Sequence, residues 1–287
     1  MRKTLSLLSC VLLFACEKPS IERDQLEKAA ARGDAIAQFN LGVKYGTGEG
    51  IPKDEARAFE AYQKAAALGN DRAQFNLGLM YAQGNPVPKD ESKAFELFQK
   101  AAAQGSDKAQ FLVGKMYAQG AGIAKDEAKA CEWFEKAAAQ GNVKAIKEVA
   151  DAYNYGNGVP KDAAKAIELY QKAASKGDSE AQFSLGVTYH LGQGVPKDSA
   201  KSFEWTEKAA LQGELGAQAL IIALYVDGDG VPKDDVRAYA WANVFAAMIN
   251  NQEAGKTRDH YEKSLTPEQR AEGQKLSAEL FAKMPKK

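Results

Sequence analysis

The feature that most constrains the fold of this chain is a 36-residue spacing, kept six times without an insertion or a deletion. A glycine marks each step, and a tyrosine stands three residues before each of these glycines. A period of this length is typical of stacked helical repeats, because one repeat cannot bury its apolar face alone. The marker glycines are Gly48, Gly84, Gly120, Gly156, Gly192 and Gly228.

Each repeat contains the pattern of two helices. In the repeat that begins at Asn70, Ala73, Leu77 and Tyr81 recur at four-residue steps, which predicts a first helix, called helix A. Asn70 is a favourable N-cap for it. After a connection that contains glycine and proline, Asp90 is expected to cap a second helix, called helix B, whose apolar residues follow the i, i+3, i+4, i+7 pattern.

Glycine also recurs in the middle of helix A, where it costs about 1 kcal/mol relative to alanine. We expect that close approach of a neighbouring helix offsets this cost. Repeats four and six carry Ala150 and Ile222 at the same step, which predicts wider helix contacts there. The mid-helix glycines are Gly42, Gly78, Gly114 and Gly186.

The stretch AQFNLGLMY from Ala73 to Tyr81, followed by VPKD and by KAFELFQKAAAQG, resembles the Sel-1-like repeat family. The resemblance covers about residues 24 to 247. It implies an all-α, right-handed α/α solenoid of six 36-residue helix-turn-helix repeats with a C-terminal helical cap. Members of this family act chiefly as scaffolds for other proteins, and some bacterial lipoproteins of this type resemble immunity proteins.

The expected domain organisation follows the same spacing. A half repeat precedes the array, and Thr266 opens a capping box with Gln269 at the start of a helix in the C-terminal cap. The expected segments are a signal peptide (1–15), a lipidated linker (16–23), the solenoid (24–249) with repeats 34–69, 70–105, 106–141, 142–177, 178–213 and 214–249, and the cap (250–287).

The N-terminus has the pattern of an export signal. Arg2 and Lys3 precede an apolar run from Thr4 to Phe14, which is too short to span a membrane as a helix of about 20 residues. Leu13-Phe14-Ala15-Cys16 resembles a bacterial lipobox, which implies that Cys16 is lipidated. This predicts an exported, periplasmic protein that is anchored by lipid to the outer membrane. Cleavage before Cys10 and plain secretion are the alternatives.

The remaining cysteine and the charge balance exclude several classes. Cys131 has no partner for an internal disulfide once Cys10 is removed and Cys16 acylated, so we interpret it as a core thiol rather than a reactive one. Basic and acidic residues number 38 each, so no net charge attracts the chain to nucleic acid.

Enzyme chemistry has little support in the sequence. The chain has two histidines, His190 and His260, and no metal-binding or nucleophile motif. His190 is expected to be a solvated residue at a helix end. We therefore expect no catalytic residue, cofactor, metal or small-molecule substrate. A cell-wall or lactam-active hydrolase is an alternative, but the family branch linked to it has a cysteine pair in each repeat, which this chain lacks.

Binding residues should instead lie where the repeats differ. Positions that all repeats share are needed for packing, whereas variable positions on one face can recognise a partner. On helix A of repeats two and three these positions combine apolar residues with cations. They predict a concave protein-binding face, although the methionines would also suit an irregular gap between repeats. The predicted binding residues are Arg72, Met80, Lys108, Leu112, Lys115 and Met116.

The fourth repeat departs most from the pattern. Lys147 and Glu148 replace the Phe111 and Leu112 of the previous repeat, which indicates either a local loosening of the stack or a polar contact. The expected function is that of a non-enzymatic scaffold or adaptor for a protein partner in the bacterial envelope. The alternative within binding is an immunity lipoprotein that neutralises a toxic effector in the periplasm.

Overall fold

The computed structural model describes residues 24–249 and 252–285, and all regular structure in these residues is helical. The described residues divide into two compact units, on either side of the boundary between residues 140 and 141. The N-terminal unit contains repeats one to three, and the C-terminal unit contains repeats four to six and the cap. The signal peptide and Cys16 lie outside the described residues, so their assignment stays a prediction.

The N-terminal unit begins with the half repeat, a helix over 24–31 that we call α1. Three helix pairs follow it, and in each pair helix A precedes helix B. Their bounds are α2 (Ala35–Thr47) and α3 (Glu55–Ala67), α4 (Asp71–Gln83) and α5 (Glu91–Ala103), and α6 (Asp107–Gln119) and α7 (Glu127–Ala139).

The C-terminal unit continues the same alternation for three further pairs and then adds two helices. The pairs are α8 (Val143–Tyr155) and α9 (Ala163–Ser175), α10 (Ser179–Leu191) and α11 (Ser199–Leu211), and α12 (Leu215–Asp227) and α13 (Asp235–Ile249). The added helices are α14 (Gln252–Lys263) and α15 (Pro267–Lys283).

Local hydrogen bonds set these helix ends as the sequence predicts. The side chain of Asn70 accepts a bond of 2.8 Å from the backbone N–H of Ala73, which satisfies one N–H that the helix leaves unpaired. Helix α4 ends at Gly84, whose φ of 75° is left-handed and favours glycine. Asp90 caps α5 through the N–H of Lys93 at 2.9 Å.

Three of the four mid-helix glycines lie where helix A meets an aromatic ring of its own helix B. A Cβ atom at Gly78 would stand 2.7 Å from the ring of Phe98, and one at Gly114 would stand 2.6 Å from the ring of Phe134. Carbon atoms do not approach so closely, so only glycine fits without a shift of the ring. The predicted close approach is confirmed.

In repeat six the large side chain of this contact lies on helix A and the small one lies on helix B. Ile222 takes the place of the glycine, and Ala242 takes the place of the aromatic residue on helix B. Both side chains are buried in the core cluster of that repeat. A large residue is therefore accepted on helix A where helix B offers a small one, which keeps the filled volume similar.

A buried glutamine near the start of helix A joins consecutive helices. The amide Nε2 of Gln110 donates to the carbonyl of Ala102 at the end of α5, at 3.2 Å. Its Oε1 accepts a 2.8 Å bond from Gln140, which follows α7. Gln182 repeats this arrangement with Ala174 and Gln212. Because a buried amide must be paired, these bonds fix the position of each helix A against its neighbours.

The C-terminal cap contains one helix more than the sequence analysis located. Thr266 and Gln269 form the predicted capping box at the start of α15. Helix α15 packs closely on α13. A Cβ atom at Gly273 on α15 would lie only 2.5 Å from the ring of Tyr239 on α13. Leu280 also packs against the core of the last repeat.

Two further observations concern the burial of Cys131 and the search for membrane-spanning helices. Cys131 is only 2% exposed and lies in α7, which confirms its interpretation as a core residue. Within residues 24–249 and 252–285, no helix is both long and apolar enough to cross a membrane.

We predict that the glycine contact behaves as a matched pair of sizes. Gly114→Ile should lower the free energy of unfolding by about 1–3 kcal/mol, because the new side chain overlaps the Phe134 ring. Phe134→Ala alone should cost about 3–5 kcal/mol. The double variant, which copies repeat six, should cost less than the sum of the two by at least about 0.5 kcal/mol in urea unfolding.

A suitable control is Gly46→Ala in α2. A Cβ atom there would lie 3.8 Å from its nearest neighbours, which is ordinary contact, so this change should not destabilise the chain. Additive costs at positions 114 and 134 would show that the two side chains do not compete for one space.

Candidate protein-binding surface

Helix A of the N-terminal unit presents a row of half-buried aromatic side chains. The ring centroids of Phe75 and Phe98 lie 5.7 Å apart, and those of Phe111 and Phe134 lie at the same distance. Each ring of helix A therefore packs against a ring of helix B, and because it is only half-buried, part of it remains accessible. We call the side of α2, α4 and α6 that carries them the N-terminal A face.

Most of the predicted binding residues are accessible on this face. Arg72 and Lys108 are exposed, one turn before Asn76 and Leu112 on their helices. Lys115 is half-buried, and its Nζ lies 5.9 Å from the centre of the Phe111 ring, so the cation and the aromatic row share one surface.

The apolar members of the predicted set are less accessible than the cations. Met80 and Leu112 are half-buried and pack against the two core clusters of the N-terminal unit. Each therefore contributes part of its surface to the core and part to the N-terminal A face.

Met116 corrects the expectation of an exposed contact residue. It is 8% exposed and belongs to the core cluster of its repeat, together with Ala109 and Val113. The three residues follow i, i+4 and i+7 along α6, so they share the buried stripe of that helix. For Met116 the gap-filling interpretation is correct.

The fourth repeat contains a polar contact on its helix A. The Nζ of Lys147 lies 2.7 Å from a carboxylate oxygen of Glu180 on α10 and 3.1 Å from one of Asp151. The hydroxyl of Tyr170 on α9 donates to Asp151 at 2.5 Å. Of the two interpretations that the sequence left open, the structure favours a built polar contact over a loosened stack.

Local interactions fix the protonation states of Lys147 and Tyr170. Burial by itself would lower the pKa of the Lys147 ammonium, but its hydrogen bond to Glu180 and the charge of Asp151 outweigh burial and raise that pKa. Burial, and then the bond to Asp151, raise the pKa of the Tyr170 hydroxyl. At neutral pH Lys147 is charged and Tyr170 is a neutral donor.

His190 differs from the solvated residue that the sequence analysis expected. Its side chain is 32% exposed, and its Nδ1 lies 3.3 Å from Asp229 Oδ2 in the connection between α12 and α13. Lys197 also contacts this carboxylate at 3.0 Å. Hydrogen bonds from Ser199 and Lys197 lower the pKa of Asp229. The arrangement ties the end of α10 to a connection, and within the described residues no group of three or more metal-ligating side chains could hold a metal ion.

Comparison with known families agrees with this architecture. The model of the Sel1 repeat matches residues 35–70, 71–106, 107–142, 143–178, 179–214 and 215–248. The chain belongs to the Sel1 repeat family. Sel1 repeats mediate protein–protein interactions, which is compatible with the variable A faces described above.

A solved Sel1 repeat structure shares the fold of this chain, and more distant structures show weaker similarity. A Sel1 repeat protein from Oxalobacter formigenes is 30% identical over 88% of this chain and 99% of its own, with a TM-score of 0.72. A protective antigen from uropathogenic Escherichia coli is 26% identical over 91% and 87%, with a TM-score of 0.43. An immunity protein from Pseudomonas aeruginosa is 22% identical over 86% and 83%, with a TM-score of 0.43. No curated protein shows significant sequence similarity.

Two features of this Sel1 repeat chain escaped the sequence analysis. One is the set of paired buried glutamines, whose signal was the recurrence of glutamine after the alanine at the third position of helix A. The other is a pocket of about 260 Å³ beside α13 and α15, lined by Tyr225, Arg237, Trp241 and Glu279 among others. No repeat pattern predicts the pocket, because α15 lies outside the repeats.

Proposed function

We propose that this chain is a non-enzymatic scaffold that binds a protein partner through the N-terminal A face. The observation that carries the proposal is that Leu112 remains half-exposed one turn after the exposed cation Lys108, and that Met80 remains half-exposed on the helix that carries the exposed Arg72. Apolar contacts flanked by charged groups are typical of protein interfaces, in which the apolar centre supplies affinity and the rim supplies orientation.

Packing alone does not explain why Leu112 and Lys115 stand at their positions. The glycine contact and the buried glutamine recur between repeats, so the core uses them and leaves the accessible positions of helix A to vary. At the step of Leu112, for example, repeat two has Asn76, and at the step of Lys115 it has Leu79. Variation on one accessible face is where a repeat protein can encode a partner.

The proposed location is the bacterial envelope. The apolar run that ends at Ala15 and Cys16 supports export and lipidation, with the protein held in the periplasm at the outer membrane. An immunity role is a narrower form of the same function, in which the partner is a toxic effector that enters the periplasm. In that case cells that lack the protein would be killed by neighbours that deliver the effector.

The binding proposal predicts a loss of capture from a change of charge. Arg72→Glu with Lys108→Glu should reduce the crosslinked partner recovered from intact envelopes by about tenfold or more. The reason is that the new carboxylates would repel acidic groups of a partner that is complementary to Arg72 and Lys108. Both residues are exposed, so the melting temperature should stay nearly unchanged.

The matched control is Lys64→Glu with Lys100→Glu, which reverses two exposed lysines on helix B. Equal losses in both double variants would indicate a general effect of charge. Full capture by the first variant would remove the N-terminal A face as the binding site.

The anchor has a separate test. Cys16→Ser should abolish labelling with radioactive palmitate and leave the protein unprocessed or soluble, because the serine hydroxyl does not replace the lipid-bearing thiol. Cys10→Ser is the control and should be labelled normally. Labelling of the Cys16 variant at the level of the unchanged protein would disprove the assignment.

A further inference from the structure

We propose that the C-terminal unit carries a second docking surface, which binds a basic amphipathic segment of a protein. The surface consists of the exposed apolar side chains of Tyr155 and Leu191 together with the carboxylates of Glu148, Asp151 and Glu180. We call it the C-terminal A face.

The apolar part of this surface is exposed without a structural reason. Tyr155 and Leu191 end helices α8 and α10, and they are 61% and 57% exposed. They occupy the same step of the 36-residue spacing, at which the N-terminal unit has Gln83 and Gln119. The fold therefore accepts polar residues at this step, and two neighbouring repeats instead present large apolar side chains to solvent.

The acidic residues and Tyr155 belong to one continuous surface. Asp151 and Tyr155 are four residues apart on α8, so their side chains lie on the same side of the helix. Tyr170 donates to Asp151 and is close enough to Tyr155 to interact with it electrostatically. Ser184 on α10 is hydrogen-bonded to Tyr170.

The carboxylates are held in place before any partner arrives. Lys147, whose side chain is 16% exposed, pairs with Asp151 and with Glu180 and so links α8 to α10. Lys144, four residues before Glu148, adds a second cation, and two ammonium groups against three carboxylates leave the cluster with negative charge. Groups that are already fixed lose less conformational freedom on binding, which favours affinity.

The sign of the charge differs between the two units and selects the partner. The A helices of the C-terminal unit carry more carboxylates than cations, and those of the N-terminal unit carry more cations than carboxylates. The former have Lys144 and Lys147 against Glu148, Asp151, Glu180 and Asp227. The latter have Lys44, Arg72, Lys108 and Lys115 against Asp71 and Asp107.

These observations together define the occupant. A segment with apolar residues on one side can cover Tyr155 and Leu191, and its lysines or arginines can reach Glu180, whose side chain is 63% exposed. An acidic segment would meet like charge at the rim and would be rejected. The inference rests on the proposed binding role but uses a different surface, so either can fail alone.

The test uses the full mature chain and a labelled 18-residue helical peptide of leucine and lysine at amphipathic spacing. Fluorescence anisotropy at low salt should show binding of this peptide and at least about tenfold weaker binding of a sibling with glutamate in place of lysine. Tyr155→Ser with Leu191→Ser should weaken binding of the leucine–lysine peptide at least about tenfold, since interface anchors commonly carry this much. Gln83→Ser with Gln119→Ser is the matched control and should change nothing.

Glu180→Lys provides a second variant, which leaves Tyr155 and Leu191 intact. It too should weaken binding of the leucine–lysine peptide. The proposal is overturned by equal binding of the two peptides, by no binding, or by equal behaviour of the Tyr155/Leu191 variant and its control. Sedimentation that shows self-association through Tyr155 and Leu191 would also overturn it, because the occupant would then be a second copy. Arg72→Glu with Lys108→Glu should leave peptide binding unchanged while it reduces capture in envelopes, which separates the two proposals.

Discussion

The contact on which the structure depends most is the close approach of helix A to helix B at the mid-helix glycine. At Gly114 the ring of Phe134 occupies the space where a Cβ atom would stand, and the backbone oxygen of Ala130 is 3.2 Å from that position. Such an approach requires one residue of minimal size at one step of the helix. An insertion between Gly114 and Phe134 would move the glycine away from its partner, so this contact constrains the part of the 36-residue spacing that separates the two helices of a repeat.

The pairs are joined to one another by polar contacts as well as by apolar packing. Gln110 and Gln182 bond to the helix before them and to a glutamine after the helix that follows. Repeat four has Ile146 at this step, buried without such a bond. Its next residue, Lys147, replaces the aromatic row with ion pairs to Asp151 and Glu180. The fourth repeat thus exchanges one set of contacts for another.

The sequence predicted those parts of the fold that depend on local chemistry. Caps such as Asn70 and Asp90 satisfy backbone groups within three residues, so their effect can be deduced from spacing alone. The burial of Met116 could not be deduced in this way, because its equivalent Met80 is only half-buried on the same kind of helix. The pairing of Lys147 with Glu180 joins residues 33 positions apart, which no local pattern specifies. Helix α14 and the pocket beside α15 were missed because both added helices lie outside the repeats.

The central claim is the proposal that recognition uses accessible positions of helix A that vary between repeats, such as Arg72, whereas the shared positions serve packing. It is tested most directly by a photo-crosslinking amino acid placed at position 72 on helix A or at position 100 on helix B, in cells that make the protein at native level. Arg72 and Lys100 are both exposed, so neither change should disturb folding. The account predicts a discrete protein adduct from position 72 and none from position 100. An adduct from position 100 alone would contradict it and would place recognition on helix B.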